Sequence, residues 1–464
     1  AWGLLEHPLP WQFSLAWVPS LDIALGFRID ALSAQMLALI TGIGTLVFVY
    51  AVGYLDHEPR RAQIFLVLPV FMLAMIGAVS ADNIILLFTF WELTSITSFL
   101  LVGFNHQDAA ARDSARQALL VTMGGGLALL GGLMLLAQIA GSWSLSGIIA
   151  AAPGLVDDPL LPWAIMLVLV GAFTKSAQFP FHFWLPNAMS APTPVSAYLH
   201  SATMVKLGIY LMARLDPAFN DLLLWEVALV GAGTVTALWA AVLALSERDL
   251  KRILARSTVS ALGTLTLLIG LPSPGAGLAA IAFLVAHALY KAPLFMVAGN
   301  IDHATGTRVV DRLMGLRRVM PGSAAAAILA GLSMAGLPLT FGFVAKDIIG
   351  IAKAEADLFL LVSYTFVVVN AIAVAVAGVA AIRVFWGPLK LPRDRVHEVP
   401  WTMLVPPLLI VLFSIEFEFF PSLADPLLLP AANVISPGLD AVELGTSYAL
   451  DGLFSATGIT LGTG

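Results

Sequence analysis

Long apolar runs separated by short polar connections make up most of the chain. A run of roughly 20 apolar residues is long enough to cross about 30 Å of hydrocarbon as a helix. Twelve such segments are predicted, at 30–54, 62–80, 83–104, 117–140, 160–185, 193–214, 222–245, 250–270, 277–299, 321–350, 359–386 and 401–420. The pattern predicts an all-α polytopic membrane protein with about 12 transmembrane helices.

Two of these segments contain prolines that should interrupt them. The stretch from Gly171 to Lys206 carries four prolines, at 180, 186, 192 and 194, and Pro338 lies inside the tenth segment. Proline removes a backbone donor and clashes with the preceding turn, and broken backbone at membrane depth is tolerated only when it is buried in protein or lines a wet cavity. We therefore predict discontinuous helices at Pro180 and Pro338.

The two ends of the chain lack sustained apolar runs. Residues 1–29 contain several prolines and tryptophans but no evident cleavable signal peptide, so we expect an external lead-in at the membrane interface. After Pro421 the sequence is acidic and rich in proline and glycine. We expect residues 422–464 to form an external tail that lies on the surface or docks on a neighbour, with loose order as the alternative.

Composition supports the membrane class. The chain is 59% hydrophobic and only 11% charged, with a mean hydropathy of +0.92, whereas soluble domains contain about 25% charged residues. The sequence has no cysteine, which excludes disulfides, thiolate metal sites and cysteine-ligated iron–sulfur clusters within it.

Lysine and arginine concentrate in alternate connections. One side of the membrane carries Arg60, Arg61, Arg112, Arg116, Arg248, Lys251, Arg252, Arg256, Arg308, Arg312, Arg317, Arg318, Lys390, Arg393 and Arg395. The other side carries only Arg28, Arg214 and Lys353. By the positive-inside rule the basic side is cytoplasmic, and both ends of this chain are expected outside.

The alternation of the connections between the two sides also predicts an inverted repeat. Segments two to six and seven to eleven form two five-helix blocks, and an odd number of crossings makes the second block start on the opposite face. We predict an external lead-in at 1–29, a first helix and connection at 30–61, inverted repeats at 62–216 and 217–387, and a last helix at 388–421 before the tail. The fourth segment of each block contains a proline and a lysine, as in transporters whose half-helices line a path.

Five charged residues lie inside predicted helices and are candidate pathway residues: Glu92, Lys175, Lys206, Lys291 and Lys346. An ionisable side chain at the bilayer centre costs about 2.5–3.5 kcal/mol, so each needs a partner or a function. A single Glu–Lys pair could serve helix packing alone. Several charges spread over five segments favour an ion pathway, because packing does not repay each added cost.

Histidines accompany these charges. His287 precedes Lys291 by one helical turn, and His200 lies less than two turns before Lys206. Each could pass protons or could be a hydrogen-bonded packing residue. The case for His182 as a proton carrier, beside the first break, is weaker. We interpret Glu416 and Glu418 as water-facing residues, and the basic run at 248–257 as a cytoplasmic anchor. Glycine runs such as 124–126 indicate close helix packing.

Four motifs carry a family resemblance: FWELTSITSFLLVGF, GAFTKSAQFPFHFWLPNAMSAPTPVSAYLHSATMVKLGIYL, SERDLKRILARSTVSALG and HALYKAPLFMVAGNIDHATGTR. Over roughly residues 25–420 the chain resembles the antiporter-like membrane subunits of respiratory complex I, membrane-bound hydrogenases and Mrp-type cation/proton antiporters, and among these the Mrp A subunit. The resemblance implies that Glu92, Lys175, Lys206, Lys291 and Lys346 form an axis of proton transfer, together with His200 and His287.

The sequence departs from the family pattern in two places. Phe283 stands where some relatives have a further histidine, and Pro293 follows Lys291 and is expected to open that helix locally. The resemblance also implies two helices before the first segment and a long membrane extension after the last. We therefore expect the sequence to be part of a longer chain.

The resemblance implies a proton-translocating subunit of a multisubunit Na⁺/H⁺ antiporter in the bacterial cell membrane, which exchanges protons for Na⁺ and is not an enzyme. Its partners would be other membrane subunits and the lipid bilayer, with no nucleic acid and no cofactor, and the position of any Na⁺ site stays open. The alternatives are a pump subunit of a redox-driven complex, which would copurify with iron–sulfur or flavin subunits, and a haem-binding membrane oxidoreductase, which would show a visible absorption spectrum.

Overall fold

Helices account for most of the described chain. The structure is a computed structural model that describes residues 9–21, 23–273, 275–354, 359–392 and 396–437. Arg393, Arg395, the first eight residues of the lead-in and the tail beyond residue 437 lie outside the described residues. The protein is a helical, multi-pass membrane protein, as the sequence predicts.

Nine helices in the described ranges are long and apolar enough to cross a membrane. They are α1 (Ala31–Tyr54), α2 (Arg61–Ser80), α3 (Ile84–Val102), α4 (Ala109–Ala140), α10 (Leu223–Ser246), α11 (Leu250–Ile269), α12 (Ala276–Thr305), α15 (Phe359–Ala377, continued as a π-helix over Gly378–Arg383) and α16 (Trp401–Phe419). A short helix, α5 (Leu145–Ala151), follows α4. The count of twelve spans and the two inverted repeats stay predictions.

The fifth and sixth predicted segments are divided into short pieces. Helix α6 (Leu161–Lys175) ends at the lysine, and Pro180 lies in the non-helical backbone that follows. A 3₁₀ turn leads to α7 (Trp184–Asn187), then to α8 (Thr193–Ser201) and α9 (Leu207–Phe219). The apolar pattern predicts one continuous helix over 193–214, and this prediction is wrong.

The second interruption has no proline, and hydroxyl groups explain it. Thr203 Oγ donates to the carbonyl of Tyr198 at 2.7 Å, and Ser201 Oγ donates to the carbonyl of Ala197. Such side-chain bonds give the backbone an alternative to helical hydrogen bonds. Thr203 leaves the helical region, with φ −127° and ψ −94°, so that Lys206 stands directly before α9.

The tenth predicted segment is also divided. Helix α13 (Pro321–Ala335) ends at Gly336, whose φ of 72° is left-handed, and α14 (Phe341–Ala354) begins after Pro338. Glycine adopts this conformation without steric cost and so ends the helix cleanly. Lys346 lies on α14, one turn into the second half-helix.

Helix α12 is the central helix of the second half of the molecule. It is surrounded by protein along its membrane span and packs on α8, α11, α13, α14, α16 and α17. Pro293 does not open it: the helix runs unbroken through this residue, against the sequence expectation. Packing on all sides holds the backbone in place although one hydrogen bond is lost.

Two elements at the chain ends were not predicted. Residues of the lead-in form an antiparallel hairpin of β1 (Trp11–Val18) and β2 (Ile23–Ile29), with Trp11 opposite Ile29. Beyond Pro421 the chain forms α17 (Pro421–Ile435), which packs on α1, α9, α12 and α16. This part of the expected tail is therefore a helix of the bundle.

Candidate functional site: a line of buried lysines

Lys175 lies at the carboxyl end of α6, fully buried against α3. Its Nζ donates to Ser95 Oγ at 2.8 Å and to the carbonyl of Trp91 at 3.0 Å, and it lies 5.2 Å from the centre of the Trp91 ring. The position favours a cation, because the partial negative charge of a helix dipole is at its carboxyl end. Both hydrogen-bond acceptors are neutral.

Glu92 lies beside these groups on α3, but it does not contact the lysine. No Glu92–Lys175 ion pair within 4 Å occurs among the described residues, although the two charges interact through space. Both carboxylate oxygens of Glu92 are buried and lack a hydrogen-bond partner in the described chain. The two charges therefore occupy separate sites and form no ion pair with each other.

Glycines of α4 make room for these side chains. A Cβ added at Gly126 would overlap with Oε1 of Glu92, and one added at Gly125 would overlap with the Thr174 side chain. Gly124, one residue earlier, has nothing within 4 Å of its added Cβ. Gly126 therefore shapes the notch that holds the glutamate of α3, and Gly125 allows α4 to pack closely on α6.

One hydrogen bond joins the two breaks on either side of α7 and α8. Ser176 Oγ donates to the carbonyl of Val205 at 2.8 Å. Ser176 follows Lys175 directly, and Val205 precedes Lys206 directly. Lys206 is fully buried, and its Nζ donates to the carbonyl of Leu284 on α12 at 2.9 Å. The contact connects the first broken helix to the central helix of the second half.

His287 lies between two of the lysines. The ring is fully buried, contacts the ring of Tyr290 edge-on with centroids 5.4 Å apart, and lies against the backbone of Ser201. It is close enough to both Lys206 and Lys291 for their charges to act on it. His287 is therefore near both the lysine of the first half and the lysine of α12.

Lys291 and Lys346 meet at Met334, near the carboxyl end of α13. Lys291 Nζ donates to Ser257 Oγ at 2.7 Å and lies 3.8 Å from the Met334 sulfur. Lys346 Nζ donates to the Met334 carbonyl at 3.0 Å. The Lys346 ammonium thus lies at the negative, carboxyl end of the half-helix α13, where a cation is favoured.

A small cavity adjoins this pair. It has a volume of about 30 Å³, and its polar lining includes Ser257, Ser260, Thr264, Lys346 and Asn370. A water molecule needs roughly 10–15 Å³ by this measure and two to four polar partners. The cavity is therefore large and polar enough to hold water beside Lys346.

The two other histidines singled out in the sequence have different surroundings. His200 is fully buried on α8 beside Trp184, and neither ring nitrogen has a hydrogen-bond partner among the described residues. Its charged neighbour is Lys251, on α11. His182 lies at the edge of the protein, where its Nε2 accepts from Trp239 at 3.2 Å.

Sequence reasoning missed a buried ion pair at the start of α1. Arg214 was assigned to an external connection, but it is buried in α9 and binds Asp30, the N-cap of α1, through both terminal nitrogens, one of them at 2.8 Å. The same guanidinium donates to Ser33 Oγ and to the Tyr210 hydroxyl. The spacing of Tyr210 and Arg214, one helical turn apart, is a signal that could have placed Arg214 inside.

The two kinds of site differ in chemistry. An ammonium bound by hydroxyl and carbonyl oxygens can lose a proton, because the neutral amine still donates a hydrogen bond and leaves no opposite charge unpaired. A guanidinium bound by a carboxylate stays charged. The line Lys175, Lys206, His287, Lys291 and Lys346 is therefore suited to holding and passing protons.

Comparisons with known proteins show which families the chain resembles. Residues 81–372 match the family described as NADH:quinone oxidoreductase/Mrp antiporter, TM, and residues 15–65 match NADH-Ubiquinone oxidoreductase (complex I), chain 5 N-terminus. The chain is 42% identical to the A subunit of the Na(+)/H(+) antiporter of Alkalihalophilus pseudofirmus, over 95% of this chain and 56% of the relative. It is 44% identical to the A/B subunit of a probable K(+)/H(+) antiporter of Rhizobium meliloti, over 89% of this chain and 42% of the relative.

Solved structures show the same fold. A chain of the Mrp complex from Dietzia sp. superposes with a TM-score of 0.86 at 34% identity, covering 95% of this chain and 50% of that one. A chain of the membrane-bound sulfane sulfur reductase, an archaeal respiratory membrane complex, gives a TM-score of 0.82 at 22% identity, covering 91% and 85%, and shares the fold. The chain spans about half the length of the curated relatives it matches. With more than half of its residues matching the family, the chain belongs to the antiporter-like membrane proteins shared by NADH:quinone oxidoreductases and Mrp antiporters.

Proposed function

We propose that the chain is the proton-translocating part of a multisubunit cation/proton antiporter in the bacterial plasma membrane. The observation that carries the proposal is the line of buried lysines held by neutral oxygens, from Lys175 on α6 to Lys346 on α14. Burying this many charges is costly, and packing alone does not repay it. The names of the relatives, antiporter subunits for Na⁺ or K⁺, favour an antiporter over an enzyme.

Proton transfer would follow the order of the side chains in space. Glu92 attracts a proton to Lys175 through space, and the Ser176–Val205 contact leads to Lys206. His287 accepts the proton from Lys206 and passes it to Lys291, and Met334 with its neighbouring cavity connects Lys291 to Lys346. In this order His287 comes before Lys291. His200, which the resemblance implies as part of the axis, stays a candidate proton carrier.

The wider assignments follow from the same proposal. The chain would work with other membrane subunits within the lipid bilayer, would exchange protons for Na⁺ or K⁺, and would need neither a cofactor nor nucleic acid. Residues 62–216 and 217–387 would be the two inverted repeats, each with one broken helix near a lysine. The basic connections would face the cytoplasm, and both ends of this chain would lie outside.

The test removes Glu92. In everted membrane vesicles that carry the complete antiporter, Glu92→Ala should abolish Na⁺-driven proton movement, because without the carboxylate the buried ammonium favours its neutral form and does not reload. Glu92→Asp keeps the charge with a shorter reach and should reduce transport. The amount of assembled complex should stay near the wild-type level in both variants.

Two outcomes would reject the assignment. Full cation-dependent proton movement in Glu92→Ala would show that the carboxylate is not needed, and loss of the assembled complex would show that its role is structural. Copurification of the chain with iron–sulfur or flavin subunits would instead support a redox-driven pump.

A further inference from the structure

A groove between α10 and α15 lies beside the basic connections and contains none of the residues of the lysine line. Its walls come from the carboxyl ends of these two helices, with residues of α11 and of the turn at 310–312 between them. The groove has a volume of about 170 Å³, well above the roughly 10–15 Å³ that one water molecule needs. It can therefore hold a group of several atoms.

Two arginines and one aspartate form the charged end of this groove, which we call the arginine groove. Arg248, two residues beyond α10, donates through Nη1 to Asp311 Oδ2 at 2.9 Å. Arg383, at the end of α15, donates through Nη2 to Asp311 Oδ1 at 2.7 Å. The Arg248 side chain is 70% exposed and that of Arg383 is 49% exposed. One carboxylate thus faces two accessible guanidinium groups.

Positive charge is in excess at this end. Glu247 also lines the groove, but its carboxylate binds Arg256 Nε at 3.2 Å and lies 4.0 Å from Arg252 Nη1. Lys390 Nζ donates to the backbone carbonyl of Asp311 at 2.9 Å. Among the described residues that line the groove, or whose side chains bind one that does, five cations therefore stand against two carboxylates.

The remaining walls of the groove are apolar. Ala244 and Leu245 of α10 lie on one side, and Val376 and Val379 of α15 lie on the other. Leu245 is exposed, as is Val242 on the preceding turn of α10. Exposed apolar residues on a membrane-spanning helix are suited to contact with acyl chains. The groove thus joins a cationic end to surfaces that fit hydrocarbon.

An ion-pair cluster alone explains the two arginines poorly. Exposed ion pairs contribute little to stability, and one guanidinium is enough to neutralise Asp311. The second guanidinium adds repulsion between like charges. A phosphate would remove this excess, because a guanidinium binds phosphate through two parallel N–H bonds. Basic pockets between membrane helices recognise the head groups of anionic lipids in this way.

We propose that the arginine groove binds an anionic phospholipid of the leaflet on the basic side. The phosphate lies between Arg248 and Arg383, which turn some of their N–H groups from Asp311 towards it, and an acyl chain lies along the apolar walls. Asp311 repels the phosphate and so limits the affinity. A free phosphate or an acidic protein segment would use the arginines but not the walls. This lipid site goes beyond the proposed function and does not depend on proton movement.

The experiment uses photoactivatable lipids on the complete antiporter. The complex is reconstituted in phosphatidylcholine nanodiscs with a small fraction of phosphatidylglycerol or phosphatidylcholine that carries a photoreactive group in its acyl chain, and labelled peptides are identified by mass spectrometry. The phosphatidylglycerol analogue should label residues 244–248 and 375–383 at least about fivefold more than the phosphatidylcholine analogue. Arg248→Gln and Arg383→Gln should each lower this labelling about fivefold, the effect of one cation near an anionic lipid.

Two further variants keep the test specific. Asp311→Asn removes the competing carboxylate and should raise labelling by phosphatidylglycerol, although it breaks the same ion pairs as the arginine variants. Arg116→Gln is the matched control, because Arg116 is 65% exposed on the basic side, forms an ion pair with Asp113 and lies outside the groove. It should leave the labelling unchanged.

Four results would overturn the proposal. Equal labelling by the two analogues in the wild type would show that the head group is not recognised, and no labelling of the walls by either would show that another subunit covers the groove. Unchanged or lower labelling in Asp311→Asn would leave only an ion-pair cluster. Displacement of the label by millimolar inorganic phosphate would indicate a site for free phosphate. The wild-type comparison and Asp311→Asn decide the question even if an arginine variant fails to assemble.

Discussion

Two buried acid–base pairs in this molecule are built in opposite ways. At the start of α1, Asp30 and Arg214 are in direct contact through two hydrogen bonds, and Ser33 and Tyr210 also bind the guanidinium. In the first broken region, Glu92 and Lys175 face each other without contact, and the carboxylate oxygens have no hydrogen-bond partner among the described residues. The first pair is fully satisfied, and the second is not.

The difference distinguishes a permanent ion pair from a site whose charge can change. We call the Asp30–Arg214 pair the clamp. Arginine stays protonated in proteins, so the Asp30–Arg214 contact can only hold α9 against the start of α1. Lysine can exist as a neutral amine, and its hydroxyl and carbonyl acceptors at Ser95 and Trp91 tolerate both forms. A buried carboxylate at a distance can then bias the protonation of the lysine without locking it.

The largest effect is expected from breaking the clamp. Arg214→Leu leaves Asp30 buried without its main partner and should destabilise the protein by about 3–5 kcal/mol, seen as a lower melting temperature and less assembled complex. Lys175→Met should stop proton movement but leave the melting temperature near the wild-type value. If Lys175→Met were the less stable of the two, the comparison would be reversed.

Arg28 offers a matched control for the clamp. Its Nε lies 3.7 Å from the same Asp30 carboxylate, but its side chain is about one third exposed. Exposed ion pairs contribute roughly 0–1 kcal/mol, so Arg28→Leu should have little effect on melting. An equal loss of stability in Arg28→Leu and Arg214→Leu would show that any nearby cation serves Asp30.

A smaller effect is expected from displacing Glu92 without removing it. In Gly126→Ala the added methyl would occupy the position of Oε1, so the carboxylate must move and its action on Lys175 must change. We expect transport to fall severalfold, with little change in stability, because the moved side chain is the flexible end of a glutamate. Gly124→Ala is the control, since its added Cβ meets nothing within 4 Å. Equal transport in the two variants would show that the notch does not position Glu92.

The smallest effect concerns acid pH. Burial alone would raise the pKa of Asp30, but the hydrogen bond and charge of Arg214 outweigh it and hold the pKa below its usual range. A carboxyl group with a lowered pKa in the folded state stabilises the protein fully above its unfolded-state pKa of about 3.9 and loses this contribution as pH falls through the folded-state value. The difference in melting temperature between wild type and Asp30→Asn should therefore shrink below about pH 4. A difference that does not vary with pH would contradict this.

Much of the fold could be predicted from the sequence because apolar length is a strong signal. The runs that became α1, α3, α10 and α16 needed no tertiary information, and the predicted interruptions near Pro180 and Pro338 occur, although α12 continues through Pro293. The hairpin had a signal that was not used: WQFSLAWV alternates large apolar and smaller residues with period two, as a strand does. The fate of the chain after Pro421 depended on contacts with α1 and α12, which no local pattern contains.

The prediction of the candidate site from the sequence has a similar limit. The charged residues were found because charge is rare inside apolar segments. Their neighbours were not, since Ser95, Ser257 and the carbonyl of Met334 come from distant parts of the chain. The break at Thr203 depends on hydroxyl hydrogen bonds, which a serine or threonine can also make within an intact helix. The basic run 248–257 is interpreted from sequence as a cytoplasmic anchor, but Lys251 within it is buried. Its position along the helix was a usable signal of burial, because Lys251 shares a face with the buried Leu254 and Thr258 and not with Arg252.

The bond between Ser176 and Val205 has a mechanical consequence. It ties the residue after one lysine, where α6 ends, to the residue before the next, where α9 is about to begin. A motion that opens one break would therefore act on the other through this hydrogen bond. A displacement of Lys175 would in this way be transmitted to Lys206.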